Sequence, residues 1–322
     1  MSTTPKPVYY RDQQAWRDLQ QFLPARLRLT DKTAPEEEFW DWRGHRVHLD
    51  RYRNPAAKAK VVLHHGVGTN GRQMTLILGA PLAARGFETV ALDNLGYGLT
   101  QVKPGTTPSY DDWVDLVVDF LAHEQSRDDR PIVLYGLSAG GMLTYHVAAK
   151  APRHTLAGIV GMTFLDQRNQ QVRDESSHDK LTARIGAPFM GLAAKTPAAS
   201  LKYPMSLAGK MSALANDPGA MKVFMKDRTS AANWVSVRFL DRYLNYAPAV
   251  EPIDFDACPV LLTQPAQDRW SPHHLSLPVL SHITKVPVDT VMIDNAGHYP
   301  LEEPGLQQMQ DAIADFVTKH TT

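Results

Sequence analysis

The 322-residue sequence contains one cysteine, Cys258, so an internal disulfide framework is excluded. Cys258 stands between Ala257 and Pro259 at the head of an apolar run, which points to core packing. Excess charge is missing as well: 34 basic and 34 acidic residues cancel. That balance gives no electrostatic reason to bind nucleic acid or an anionic membrane. Long apolar runs are also absent. Residues 156–165 form one of the longest, about half of the ~20 residues a membrane-spanning helix needs. Residues 1–11 lack the apolar core of a secretory signal. Internal repeats and low-complexity tracts are not found. These absences lead to the expectation of a soluble, cytoplasmic protein with no transmembrane segment. The length suits one large α/β domain carrying an insertion.

What is present centres on residues 131–141, Pro-Ile-Val-Leu-Tyr-Gly-Leu-Ser-Ala-Gly-Gly. Ile132 to Tyr135 read as a buried strand, and the residues from Met142 onward read as a helix that Pro152 stops. Ser138 therefore falls on a sharp strand-to-helix turn. A side chain held there in strained backbone geometry needs small neighbours, which Gly136 and Gly140 supply. The helix start also aims backbone N–H groups at any oxyanion that forms beside Ser138.

Around this turn, strand and helix alternate from residue 61 to 151, which argues for a parallel sheet with helices on both faces. Residues 39–52 read as a hairpin, on which His45 and His48 point to opposite faces and so make no metal pair. A buried strand ends in His64-His65-Gly66, and the two histidines lack a third partner for a metal. A helix is expected over 81–85. Asp93 opens a glycine-containing turn, where it bonds the turn. Ser109 and Asp112 make a capping pair before a helix faced by Trp113, Leu116, Val117, Phe120 and Leu121. After the strand at 156–165 the alternation stops. Residues 167–255 are helix-like and loop-rich, with Met190, Met205, Met211, Met221 and Met225 suited to an adaptable apolar wall. Val235, Phe239, Leu240 and Leu244 have helical spacing. The sheet resumes at 259–264; Asp268 follows, and Ser271-Pro272 reads as the N-cap and first residue of a helix. A last strand at 290–293 precedes His298, and a closing amphipathic helix follows.

Ser138, Asp268 and His298 each lie just past the C-terminal end of an expected strand, where open α/β sheets place their sites. Asp166 is a second acid at a strand end, but it leads into the polar stretch Gln167-Arg168-Asn169 and suits a salt bridge or cap. Asp268 sits in a shorter, proline-pinned loop.

The serine turn, the His65-Gly66 loop, the insertion and the Asp-then-His tail together resemble the α/β-hydrolase superfamily, in particular the monoacylglycerol lipase and lysophospholipase-like serine esterases. The resemblance covers roughly residues 36–320. It implies a mostly parallel central sheet with helices on both faces and an inserted, mainly helical cap. The divisions expected are an N-terminal extension (1–35), a core (36–166 and 256–322) and a cap (167–255). It implies carboxylic ester hydrolysis, with Ser138 as nucleophile, His298 as base and Asp268 as its orienting acid. The N–H groups of Val67 and Ala139 would bind the oxyanion. No metal and no organic cofactor are implied. The expected partner is a small-molecule ester with an apolar acyl or alcohol part. Leu137 and Ala139 stand where that group often has His and Met, so substrate class does not carry over. Amide, carbon–carbon and acyl-transfer chemistry use the same triad, and a non-catalytic binding protein shares the scaffold. The aspartate-nucleophile relatives are set aside because the turn carries a serine.

Overall fold

The apolar runs read as buried strands form the middle of one eight-stranded sheet in a computed structural model that describes residues 8–179, 184 and 191–321. Strands β1 (Glu36–Trp42) and β2 (His45–Tyr52) make the expected antiparallel hairpin. Then come β3 (Lys60–His64), β4 (Glu88–Leu92), β5 (Ile132–Gly136) and β6 (Gly158–Gly161). A separate two-stranded sheet is made of β7 (Lys202–Pro204) and β8 (Trp234–Ser236), and the chain returns as β9 (Val260–Pro265) and β10 (Val288–Ile293). The order in the large sheet is β1-β2-β4-β3-β5-β6-β9-β10. It is parallel from β4 through β10, with the hairpin antiparallel on one edge.

Every residue of β3, β4 and β5 is buried, because helices cover both faces. Two of those buried residues, Lys60 and Glu88, are ionisable and sit at the N-terminal strand ends. Lys60 meets Asp128 at 2.9 Å, and Glu88 meets Arg130 at 2.8 Å. Arg51 reaches Glu124 at 2.7 Å beside them. Ion pairs thus close the end of the sheet opposite the candidate site; buried charges persist only when paired this way.

The helices follow from capping and from apolar faces. Helix α1 (Ala15–Leu19) belongs to the N-terminal segment, whose Tyr10, Trp16, Leu19, Leu23 and Leu27 join the main core. Helix α2 (Gly71–Met74) runs through a wide π turn at Thr75–Gly79 into α3 (Ala80–Ala84). The sequence suggested only the last part of this element. Residues 71–79 are buried on all sides, so they carry no helical alternation of apolar and polar positions. Helix α4 (Tyr110–Arg127) has the expected capping box at Ser109 and Asp112. Helix α5 (Ala139–Lys150) starts directly after Ser138.

The segment between β6 and β9 carries α6 (Gln170–Ser176), the small sheet, and short helices including Met205–Ala208 and Val237–Asn245. Val235 belongs to β8 and not to the helix, which starts at Val237 with Ser236 capping Phe239 N–H at 3.0 Å. Of the methionines expected to wall a pocket, Met205 does so; Met211 packs over Gly68, Met225 is exposed, and Met190 lies outside the described residues. Cys258 is buried, and burial pushes its thiol up to about 12.

Candidate active site

Ser138 ends the link from β5 to α5 with φ 58° and ψ −124°, a region that L-residues rarely occupy. The turn closes tightly: a Cβ on Gly136 would lie 1.9 Å from the Gly140 carbonyl oxygen. Gly140 and Gly141 give their N–H groups to the carbonyls of Leu137 and Ser138. Ala139 N–H, at the first position of α5, has no partner among the described residues. The second strand-end loop lies against this turn. A Cβ on Gly66 would sit 2.8 Å from Ser138 Cβ and 3.1 Å from Ala139 N, so only glycine lets the two loops approach. Val67 N–H is likewise without a partner among the described residues.

His65 holds that loop in place. Its Nε2 accepts from Asn94 N–H at 2.9 Å, which leaves Nδ1–H to donate to the Gly66 carbonyl at 2.8 Å. Burial lowers its pKa below the ordinary histidine value. Asp93 serves the neighbouring turn, accepting from Gly71 N–H and Leu99 N–H at 2.7 Å each and from the Tyr10 hydroxyl. Asp93 bonds its turn, as its position in the sequence suggested.

Asp268 lies in the loop after β9. Its Oδ1 accepts from Trp270 N–H and Ser271 N–H, each at 2.8 Å, and its Oδ2 stands 2.9 Å from His298 Nδ1. Burial alone would raise this carboxyl. The adjoining His298 and the two backbone donors outweigh it and hold the carboxyl below the usual carboxylate range. His298 is 1 % exposed, and its Nε2 is buried with no hydrogen-bond partner among the described residues. The Trp270 ring lies 4.8 Å from the imidazole, tilted by 33°, and its Nε1–H donates to the Ser176 carbonyl at 2.8 Å. Asp166, the competing acid, pairs instead with Arg168 at 2.8 Å.

Trp270 joins the two halves of the site, since the cavity it lines also has Ser138 and Val67 in its wall. This cavity holds about 50 Å³. Leu165, Met205, Leu240 and Leu244 make it apolar, while Gln167, Arg173 and Tyr243 supply polar groups. Among the described residues, Arg173 donates to neutral oxygens, including the Leu244 carbonyl and Asn245 Oδ1. The segment between β6 and β9 is fastened to the loops that follow β9 and β10: Tyr299 N–H donates to the Leu214 carbonyl at 2.7 Å, and Asn216 Nδ2 to the Gln267 carbonyl at 3.2 Å. A larger groove of about 680 Å³ lies between the N-terminal segment and α3, away from Ser138.

Sequence reasoning missed Trp270, the pocket residues other than Val67, Ser138 and Met205, and the use made of Ser271. The pair Ser271-Pro272 looked like a helix start. The short helix begins at His273 instead, and the Ser271 hydroxyl lies 3.0 Å from His298 Nδ1. Its spacing, three residues after an acid in a loop, was the available signal.

Among the described residues, one group has the chemistry of a metal site: Glu37, His48 and Asp50. A cation already occupies it. The Arg72 guanidinium bonds both oxygens of Asp50, at 2.5 and 2.9 Å, and lies 3.5 Å from Glu37. His48 contacts Glu37 at 3.0 Å and Asp93 at 3.2 Å. No helix among the described residues is long and apolar enough to cross a membrane.

No curated protein matches the chain by sequence. Solved structures of similar fold include the monoacylglycerol lipase of Paleococcus ferrophilus, 17% identical with a TM-score of 0.66 over 88% of this chain and 99% of that one. A soluble variant of the Saccharomyces cerevisiae monoglyceride lipase, in complex with a substrate analogue, is 17% identical with a TM-score of 0.70 over 93% and 98%. The alpha/beta hydrolase GrgF from Penicillium is 14% identical with a TM-score of 0.68 over 89% and 98%. At these identities the likeness is one of fold. The sequence itself matches the Alpha/beta hydrolase family over residues 61–315, and the chain belongs to that family.

Proposed function

We propose that the protein is a serine hydrolase that cleaves carboxylic esters through an acyl-enzyme on Ser138. The observation that carries this reading is the Asp268–His298 pair, whose imidazole keeps a buried, unpartnered Nε2. With Nδ1–H donated to the carboxylate, Nε2 holds the lone pair that a general base needs. Ser138 Oγ attacks the ester carbonyl and gives its proton to His298 Nε2. The tetrahedral oxyanion rests on the free N–H groups of Val67 and Ala139. His298 then returns the proton to the departing alcohol, and a water molecule repeats the cycle to release the acid. Asp268 orients the imidazole and stabilises its protonated form.

The apolar wall of Leu165, Met205, Leu240 and Leu244 supports an ester with an apolar acyl or alcohol part. We assign the wall to a cap, residues 167–255, over a core of residues 36–166 and 256–322, with residues 1–35 as an N-terminal extension. We also read the enzyme as cytoplasmic, which fractionation of cells producing it would check. Hydrolysis of p-nitrophenyl esters of graded chain length, against a Ser138→Ala control, tests the reaction. A fluorophosphonate probe should label the protein once, at Ser138. Turnover equal to the control, or an adduct on another residue, refutes the assignment.

A further inference from the structure

His298 Nδ1 faces two oxygens, and the second belongs to no part of the triad. Asp268 Oδ2 stands at 2.9 Å and Ser271 Oγ at 3.0 Å. A lone pair on Nδ1 would confront the carboxylate with no proton between them, so Nδ1 carries the hydrogen. The Ser271 oxygen then meets that hydrogen as a second acceptor. Ser271 is 1 % exposed, and its hydroxyl makes no other hydrogen bond among the described residues. It caps no helix: the turn at His273–Leu275 has no side-chain cap. Its backbone N–H is committed to Asp268 Oδ1 at 2.8 Å, which fixes the residue against the acid.

We infer that Ser271 is a positioning residue for His298, sharing the Nδ1 hydrogen with Asp268 so that Nε2 stays the proton acceptor. This rests on the hydrolase reading of the same site. The ring is held on three sides, by Asp268 and Ser271 at one nitrogen and by Trp270 on its face. Two acceptors at one donor resist rotation of the imidazole and keep the hydrogen on Nδ1. The effect falls on the chemical step, since Ser271 is not among the residues lining the pocket.

The test compares Ser271→Ala and Ser271→Cys with the wild type on a soluble p-nitrophenyl ester. Cysteine fills the same space but is a weak acceptor. Both variants should lose about tenfold in kcat, with KM unchanged, a factor equal to about 1.4 kcal/mol. In parallel, protein labelled with ¹⁵N-histidine should show the His298 Nδ1–H resonance displaced in both variants. Full kcat in Ser271→Cys would make the role one of packing, and full kcat in Ser271→Ala would remove the role altogether; either result overturns the inference. If the wild type hydrolyses nothing above Ser138→Ala, the hydrolase reading fails separately, and the resonance decides whether Ser271 shares the proton. An unmoved resonance refutes the sharing whatever the turnover.

Discussion

Changing Asp268 to asparagine should do more than remove a charge. Oδ1 is pinned as an acceptor by two backbone N–H groups, from Trp270 and Ser271, each at 2.8 Å. An asparagine in this place must keep its carbonyl oxygen there, because an NH₂ group would face two donors. Its NH₂ is therefore forced onto the side that meets His298 Nδ1, now 2.9 Å from Oδ2. A donor at that position favours the tautomer with the lone pair on Nδ1 and the hydrogen on Nε2. That imidazole cannot take the Ser138 proton. When a triad carboxylate is changed to the amide in this sense, kcat falls about 10⁴-fold, about 5.6 kcal/mol at about 1.4 kcal/mol per decade. Asp166 offers the internal comparison. It follows β6 as Asp268 follows β9, but it bonds Arg168, which also reaches Glu251 at 2.7 Å. Loss of a partly exposed pair of this kind is worth at most about 1 kcal/mol. Asp166→Asn should therefore keep kcat within about tenfold of the wild type. Steady-state hydrolysis of a soluble p-nitrophenyl ester, on variants whose circular dichroism matches the wild type, reads both numbers. A larger loss in Asp166→Asn than in Asp268→Asn would refute the reasoning and move the acid to the other loop.

Alkaline stability should depend on His48. Burial by itself lowers its pKa, but bonds to Asp93 and Glu37 outweigh that and raise it to about 9. A histidine raised in the folded state stabilises fully below its unfolded value of about 6.5, and the contribution is lost as pH rises through about 9. Melting temperature measured from pH 6 to 10 should fall more steeply for the wild type than for His48→Gln; parallel curves would contradict the assignment. Ala208→Val narrows the apolar cavity, so the ratio of kcat/KM for butyrate over acetate esters should drop, whereas an equal loss on both esters would make the residue merely structural. Cys258, buried with its thiol pushed up to about 12, should resist a thiol reagent until denaturant is added, and prompt labelling of native protein would count against that burial.

Local sequence determined a good deal. The run Ile132–Gly136 followed by Ser138, Gly140 and Gly141 could be read as strand, turn and helix because one short stretch contains the apolar run, the small residues and the helix start. The box at Ser109 and Asp112 was legible for the same reason: its partners are three residues apart. Where partners are distant in sequence, the chain gave candidates and a preference, here for Asp268, but no contact. Asp166 and Asp268 both follow strands, and only the packing of the β9 and β10 loops puts one of them on His298, thirty positions away. Residues 71–79 hid their helix because burial on every side erases the alternation that marks one. Ser271 looked like a cap because Ser-Pro is a cap signal in isolation; its hydroxyl is instead at an imidazole that the chain brings back 27 residues later. Trp270 was equally invisible, and of the apolar wall over Ser138 the sequence singled out Met205 but not Leu165, Leu240 or Leu244 as lining residues. Periodicity reports which face of an element is buried and says nothing of what it is buried against, and that choice belongs to tertiary structure.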